Sequence, residues 1–342
     1  MATTAKISPR KRISYRLLPE EVVTQCIARV PLSSQGAMSL LSKKIGIFIN
    51  GGEIFYTRSF LGIKETSVLV GIQSQENGSV VDWYALSKKF CNDDYVLRRV
   101  PFPLISGKET LVAAGNRVFV FGPSDFFSVE GGTYKKKTVS KTKAIHHEPI
   151  TAVVDDKVYV FGGCSSDDAL NYLETLDLGT NKWETLPIPE QDRELIPCNS
   201  DRVVWNGIIH FISRDKCVVF DPKTGKLERK DHASMGERMY LTSCVINNII
   251  YTVGWNSKIE YFDSESRTWR VVRGIKPLPE FGLFNFNGKL MVLHKQRQKE
   301  IWFTLIILEK KELDMWGCVE SCNCGLILEK PAEILQLLSV EI

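Results

Sequence analysis

Residues 156–163 read DKVYVFGG, and residues 172–187 read YLETLDLGTNKWETLP. An alternating apolar run closes on the glycine pair Gly162–Gly163, and Tyr172 follows, then Asp177, then Trp183 six residues later. β-Branched and aromatic side chains suit a pleated strand, and glycine at its end admits backbone conformations and close approaches that a side chain blocks. One such segment is a hairpin. Whether it is more than that depends on recurrence.

The pattern recurs. TSVLVGI (66–72), RVFVF (117–121), KVYVF (157–161), IIHFI (208–212), IIYTV (249–253) and KLMVL (289–293) all read as strands. The last five follow a turn residue in one register, at Gly115, Asp155, Asn206, Asn247 and Asn287, giving steps of 40, 51, 41 and 40 residues. A near-constant period of that size marks a repeat array. A second landmark keeps the rhythm: Asp177 stands six residues before Trp183, Asp221 six before Leu227, and Asp263 six before Trp269. An acid ends one strand, a polar turn follows, and a large apolar residue opens the next, a hairpin rule used three times and placing the tryptophans between neighbouring sheets.

Four short strands in each repeat cannot bury both faces of their own sheet, so successive sheets must stack around an axis. The fold class is therefore mainly β, a propeller. Strand groups at 66–105, 106–145, 149–190, 197–235, 240–276 and 281–320 give six blades, give or take one. The first group lacks a leading strand. AEILQLLSVEI (332–342) is expected to supply it and close the ring, with a C-terminal helix as the competing reading of that stretch.

Residues 14–60 read differently, as helices. In LLPEEVVTQCIARV, Leu18, Val22, Cys26 and Val30 recur at helical spacing and are joined by Val23 and Ile27 in one apolar stripe. Pro19 suits the first turn, where its missing donor is not needed, and Glu20 and Glu21 suit the positive end of the helix dipole. A second helix is expected around GAMSLLSKK, with Met38, Leu41 and Ile45 on one face and Lys43 and Lys44 at its C-terminal end, before INGGE breaks the pattern.

The 44 basic and 40 acidic residues leave a formal charge of +4, which points to neither nucleic acid nor membrane as a partner. No run reaches the ~18 apolar residues of a membrane span, and the basic N-terminus carries no apolar segment of the secretory kind. A cytoplasmic or nuclear location is expected, the PRKR cluster at 9–12 reading as a solvated terminus ahead of an import signal. Most of the nine cysteines sit in apolar runs and read as reduced core thiols. Cys318, Cys322 and Cys324 cluster, but no nearby histidine or further cysteine completes a tetrahedral site, so neither metal nor cofactor is expected.

With these residues in place, 158–183 resembles a kelch repeat, in which an apolar strand leads to a glycine pair, a spaced tyrosine and a tryptophan: here Gly162, Gly163, Tyr172 and Trp183. Other units are worn: FGP (121–123) keeps one glycine, FIS (211–213) none, and TVGW (252–255) one. The N-terminal segment resembles an F-box, with Leu18–Pro19 opening the helix and SLLSK (39–43) following, as in the short form of plant F-box/kelch proteins. YTRSFLGIKETSVLVGI (56–72) is similar to that group's junction. The chain departs from the F-box pattern at LSSQG (32–36) and at IGIFINGG (45–52).

The resemblance implies a disordered tail over 1–13, an F-box over 14–60 and a kelch propeller over 61–342. It further implies a substrate-recognition subunit of an SCF-type ubiquitin ligase. Leu18, Pro19, Val22, Val23, Cys26, Ile27 and Val30 would carry the helix face that docks a Skp-type adaptor, and through it a cullin, while the propeller holds an unknown target protein. The alternative is a non-catalytic kelch scaffold with a vestigial F-box. An enzyme on a propeller is disfavoured. The positions around Trp269 lack the Ser-Asp-Gly steps of a sialidase repeat. A copper site would need several Tyr and His ligands, whereas His146–His147 read as solvated loop histidines. Target contacts stay open: Lys135, Lys136, Lys137, Lys141 and Lys143 form a basic loop or a solvated edge, and Trp205, Arg214, Trp255, Arg273 and His294 lie near strand ends.

Overall fold

The structure, a computed structural model, describes residues 18–50, 53–74, 80–89, 94–122, 125–140, 142, 146, 148–162, 173–189, 192, 195, 201–212, 217–230, 243–254, 257–278 and 281–342. Gly163, Tyr172, Lys141, Lys143, His147, Arg214, Trp255 and the PRKR cluster lie outside the described residues. The chain divides into two compact units, residues 1–64 and 65–342.

The first unit holds four described helices: α1 (Glu20–Ala28), α2 (Leu32–Met38), α3 (Lys43–Asn50) and α4 (Glu53–Phe60). The expected single helix around GAMSLLSKK is instead the end of α2, a turn, and the start of α3. Ser42 is the reason: its Oγ accepts the Ile45 amide (3.2 Å), an N-cap that starts a new helix and places Lys43 and Lys44 at its beginning. Val23, Ile27 and Ile54 form the buried centre, packed by Met38, Ile45, Phe48, Ile49 and Phe55.

The second unit is a six-bladed propeller. Its strands are β1 (Thr66–Ser74), β2 (Val81–Lys88) and β3 (Tyr95–Arg99); β4 (Thr110–Ala114), β5 (Arg117–Phe121), β6 (Phe126–Glu130) and β7 (Lys136–Thr138); β8 (Ile150–Val154), β9 (Lys157–Phe161), β10 (Leu173–Asp177) and β11 (Lys182–Leu186). Then follow β12 (Asp201–Trp205), β13 (Ile208–Ile212), β14 (Cys217–Asp221) and β15 (Lys226–Lys230); β16 (Ser243–Ile246), β17 (Ile249–Val253), β18 (Ile259–Asp263) and β19 (Thr268–Val271). The last are β20 (Phe281–Phe286), β21 (Lys289–Gln296), β22 (Glu300–Lys311), β23 (Asp314–Ile327) and β24 (Ala332–Glu341). Each blade is a four-stranded antiparallel meander, and the first has the order β24-β1-β2-β3. The C-terminal stretch is therefore the closing strand and not a helix.

The inner strands β24, β4, β8, β12, β16 and β20 touch in succession and return to β24, closing the ring. One apolar cluster lies between each pair of neighbouring blades. This explains why KVYVF is apolar on both faces: Val158 and Val160 pack toward the second blade, Tyr159 and Phe161 toward the fourth. The strand is buried on both sides, so it reads as a continuous apolar run rather than as a half-wet alternation. The sixth blade runs longer than the expected 281–320, because β22 and β23 extend as a ribbon whose pairing reaches Lys311–Asp314.

Candidate functional site

The turn residues of the repeat position everything else. Asp155, Asn206, Asn247 and Asn287 have φ near +50°, as does Gly115, each opening a two-residue hairpin turn between paired strand ends. Asn and Asp are among the few side chains that tolerate this region. On the third, fourth and fifth blades the acid of the second landmark folds the next turn. Asp177 accepts the Thr180 amide and hydroxyl (2.7 and 2.9 Å), Asp221 the Lys223 amide (2.9 Å) and Thr224 hydroxyl (3.0 Å), and Asp263 the Ser266 hydroxyl (2.6 Å) and Glu265 amide (3.2 Å). These hydrogen bonds hold all three carboxyls below their ordinary range, the Thr180 amide dominating for Asp177, the Lys223 amide for Asp221 and the Ser266 hydroxyl for Asp263. The fourth turn residue, Asn181, Gly225 or Arg267, is left-handed in each, a constraint the Asp-to-Trp spacing already contains.

Trp183 then pairs with Leu176 and reaches across to the second blade, where its ring meets Phe126 edge-on at 5.4 Å and its Nε1 donates to Ser140 O (2.8 Å). Trp269 pairs with Phe262 and packs with Trp205 between the fourth and fifth blades. Leu227 takes the same position between the third and fourth. Gly162 has φ +62°, and its carbonyl meets His146 Nδ1 at 2.7 Å.

His146 corrects the sequence reading. It is buried, with Nε2 2.8 Å from Glu174 Oε2, because β10 carries a fully buried carboxylate that needs a donor. The signal was present: Glu174 stands three residues before Asp177, and the buried Glu260 three before Asp263. Several of the other described candidates also have partners within the propeller. Lys136 bonds Asp125 (3.4 Å) and lies over Phe127, and Lys137 pairs with Glu130 (2.9 Å), so this part of the basic loop is a solvated edge strand. Trp205 Nε1 donates to Asn248 O (2.9 Å), Arg273 pairs with Asp314 (2.7 Å), and His294 is buried beside Thr304, which lowers its pKa. Cys318 and Cys322 are exposed free thiols, and among the described residues no group of three or more His, Cys, Asp or Glu is arranged to hold a metal.

The propeller has two unlike ends. Two-residue and four-residue turns crowd one end, together with Glu65, which exchanges backbone hydrogen bonds with Ile342 (3.0 and 2.9 Å). The strand ends from which the six blade-to-blade connections leave, and those joined by the link between β9 and β10, lie at the other end. Long loops on a rigid frame are where binding residues are placed.

In the helical unit, α1 presents two faces. The Pro19 carbonyl accepts the Val22 and Val23 amides (both 3.1 Å), so the helix starts where proline costs least. Val23, Thr24, Ile27 and Ala28 are buried, which splits the expected single stripe. Leu18 (39% exposed), Val22 (41%) and Cys26 form the outer line, with Val30 half-buried at its end. Leu40, Leu41, Ile47, Tyr56 and Phe60 are also exposed, a large apolar surface for so small a unit.

A six-bladed kelch-type propeller following a short helical unit defines the class. The FKB95, Kelch-repeats domain family model matches residues 83–326, and the chain belongs to this family, as a plant F-box/kelch-repeat protein. A putative F-box/kelch-repeat protein of Arabidopsis thaliana is 28% identical, covering 95% of this chain and 92% of its own length. An F-box/kelch-repeat protein of the same plant is 29% identical, over 95% and 91%. The solved structure titled "Structure of YjhT" matches with a TM-score of 0.49 at 12% identity, over 74% of this chain and 94% of that one, too distant a likeness to add to the strand order.

Proposed function

We propose that this chain is the non-catalytic target receptor of an SCF-type ubiquitin ligase. The outer face of α1, opened by Pro19 and carried by Leu18, Val22 and Cys26, binds a Skp-type adaptor and through it a cullin; Val23 and Ile27 hold that helix in place from the inside. The long-loop end of the propeller binds the target protein, in the cytoplasm or nucleus. The gain is one of proximity, since a target lysine held near a loaded conjugating enzyme reacts at a raised effective concentration.

The observation that carries this reading is the apolar line left exposed on α1 while the adjacent face of the same helix is buried. A tagged full-length chain, purified from plant cells under proteasome inhibition, is expected to bring down the adaptor and a target together. Leu18→Asp is expected to lose the adaptor and keep the target. Target capture without adaptor by the unaltered chain would instead establish the scaffold reading.

A further inference from the structure

Among the described residues of the helical unit, Arg58 on α4 is the fully buried cation. Its Nη1 donates to Ala28 O (2.8 Å) and to Val30 O (3.0 Å), thirty and twenty-eight residues back along the chain. From α2, the buried Gln35 donates its Nε2 to the same Val30 carbonyl (3.1 Å). The three bonds meet on the turn that follows α1.

That turn is where help is needed. A helix leaves its last carbonyls without intrahelical partners, and cations are favoured at that end. The last turn of α1 contains no basic residue. Arg29, one step beyond, serves the Gln25 carbonyl (2.8 Å), the Val30 amide serves Ile27 (3.0 Å), and Arg58 serves Ala28.

Apolar contact is non-directional: Val23 and Ile27 against Ile54 set a distance between α1 and α4 but only weakly set the rotation of α1 about its axis. Hydrogen bonds from a planar guanidinium do fix an angle. Val22 and Cys26 ride on the same nine-residue helix and Leu18 leads into it through Pro19, so a rotation at its C-terminal end moves Val22 and Cys26 and carries Leu18 with them. We infer that Arg58, seconded by Gln35, is the positioning residue for the outer face of α1. The inference rests on the adaptor-docking reading above.

The test uses the full chain with Arg58→Met, which keeps an apolar stem and removes the donors, Arg58→Lys, which restores a cation of different shape, and Leu18→Asp. Two quantities are measured at a temperature where circular dichroism shows unchanged helix content: amide hydrogen exchange over 22–35, and affinity for a purified Skp-type adaptor. Arg58→Met is expected to speed exchange around the α1–α2 turn and weaken the adaptor on the order of tenfold each, as befits charge-assisted bonds lost from a buried site. Arg58→Lys is expected to recover part of both. Leu18→Asp is expected to lose the adaptor with exchange unchanged. Wild-type exchange, or wild-type affinity, in folded Arg58→Met overturns the inference. If Arg58→Met unfolds the unit, Arg58→Lys decides: partly raised exchange supports the inference and wild-type exchange overturns it. An unaltered chain that binds no adaptor sinks the docking reading, and the exchange comparison then judges the positioning of α1 alone.

Discussion

At the residue scale, the propeller rests on buried polar groups that each have one arrangement. His146 and Glu174 are almost completely buried and 2.8 Å apart, so removing the imidazole takes a hydrogen-bond partner from a fully buried carboxylate. His146→Ala is expected to cost about 3–5 kcal/mol, read by urea unfolding of the full chain, with Glu174→Gln losing less because an amide still bonds. Burial pushes His210 down to about 4 from its ordinary 6.5. Between those values the unfolded chain binds the extra proton and the folded chain does not, so stability is full above about 6.5 and falls as pH drops toward about 4. The same sign holds lower on the scale for Asp177, Asp221 and Asp263, whose contribution is present above the ordinary 3.8 and lost as pH falls through their lowered values. Urea midpoints measured from pH 7 to pH 4 should fall less steeply in His210→Gln than in the unaltered chain; equal slopes would contradict this. The Asp-to-Trp rule was legible in the sequence because both ends lie in one hairpin. His146 was not read correctly, because its partner is twenty-eight residues away and enters from another strand.

At the scale of elements, α1 separates two roles that the helical spacing alone had merged. Val22 and Cys26 share one line of α1, with Leu18 just ahead of its first turn, and Val23 and Ile27 share the next, about a quarter-turn round the helix. The sequence showed that these positions are apolar; which line faces inward was decided by where α4 packs. Ile27→Ala is therefore expected to destabilise the helical unit by about 2–5 kcal/mol, whereas Leu18→Asp should leave its melting midpoint nearly unchanged. Thermal melts followed by circular dichroism separate the two, and equal losses would show that the outer line is also core. The α2–α3 break was missed because Ser42 lies inside an otherwise helical pattern and works through a single capping bond. β24 was legible as the missing strand because the first blade had three strands in sequence and needed a fourth. Its removal exposes Val68, Leu69 and Val70 on β1 and opens the ring between the second and sixth blades. A chain ending at residue 331 is expected to be insoluble or molten, with loss of the near-ultraviolet aromatic signal that the full chain gives.

At the scale of the molecule, the division of labour follows from what each unit buries. The propeller hides its apolar surface between blades and closes on itself, with the strand ends that lead to its longer connections gathered at one end. The helical unit leaves apolar side chains uncovered, the condition under which a small surface becomes an interface. The repeat period, the hairpin rule and the order of the two units were all readable from residue spacing. The target was not, since loop residues on the long-connection end obey no periodic rule that spacing could reveal. The central claim is that the outer line of α1 is the docking face, and calorimetric titration of the purified full-length chain with a Skp-type adaptor tests it most directly. Saturable one-to-one binding that disappears in Leu18→Asp, with the melting midpoint of the helical unit preserved, is the expected result; no binding by the unaltered chain, or undiminished binding by Leu18→Asp, would contradict it.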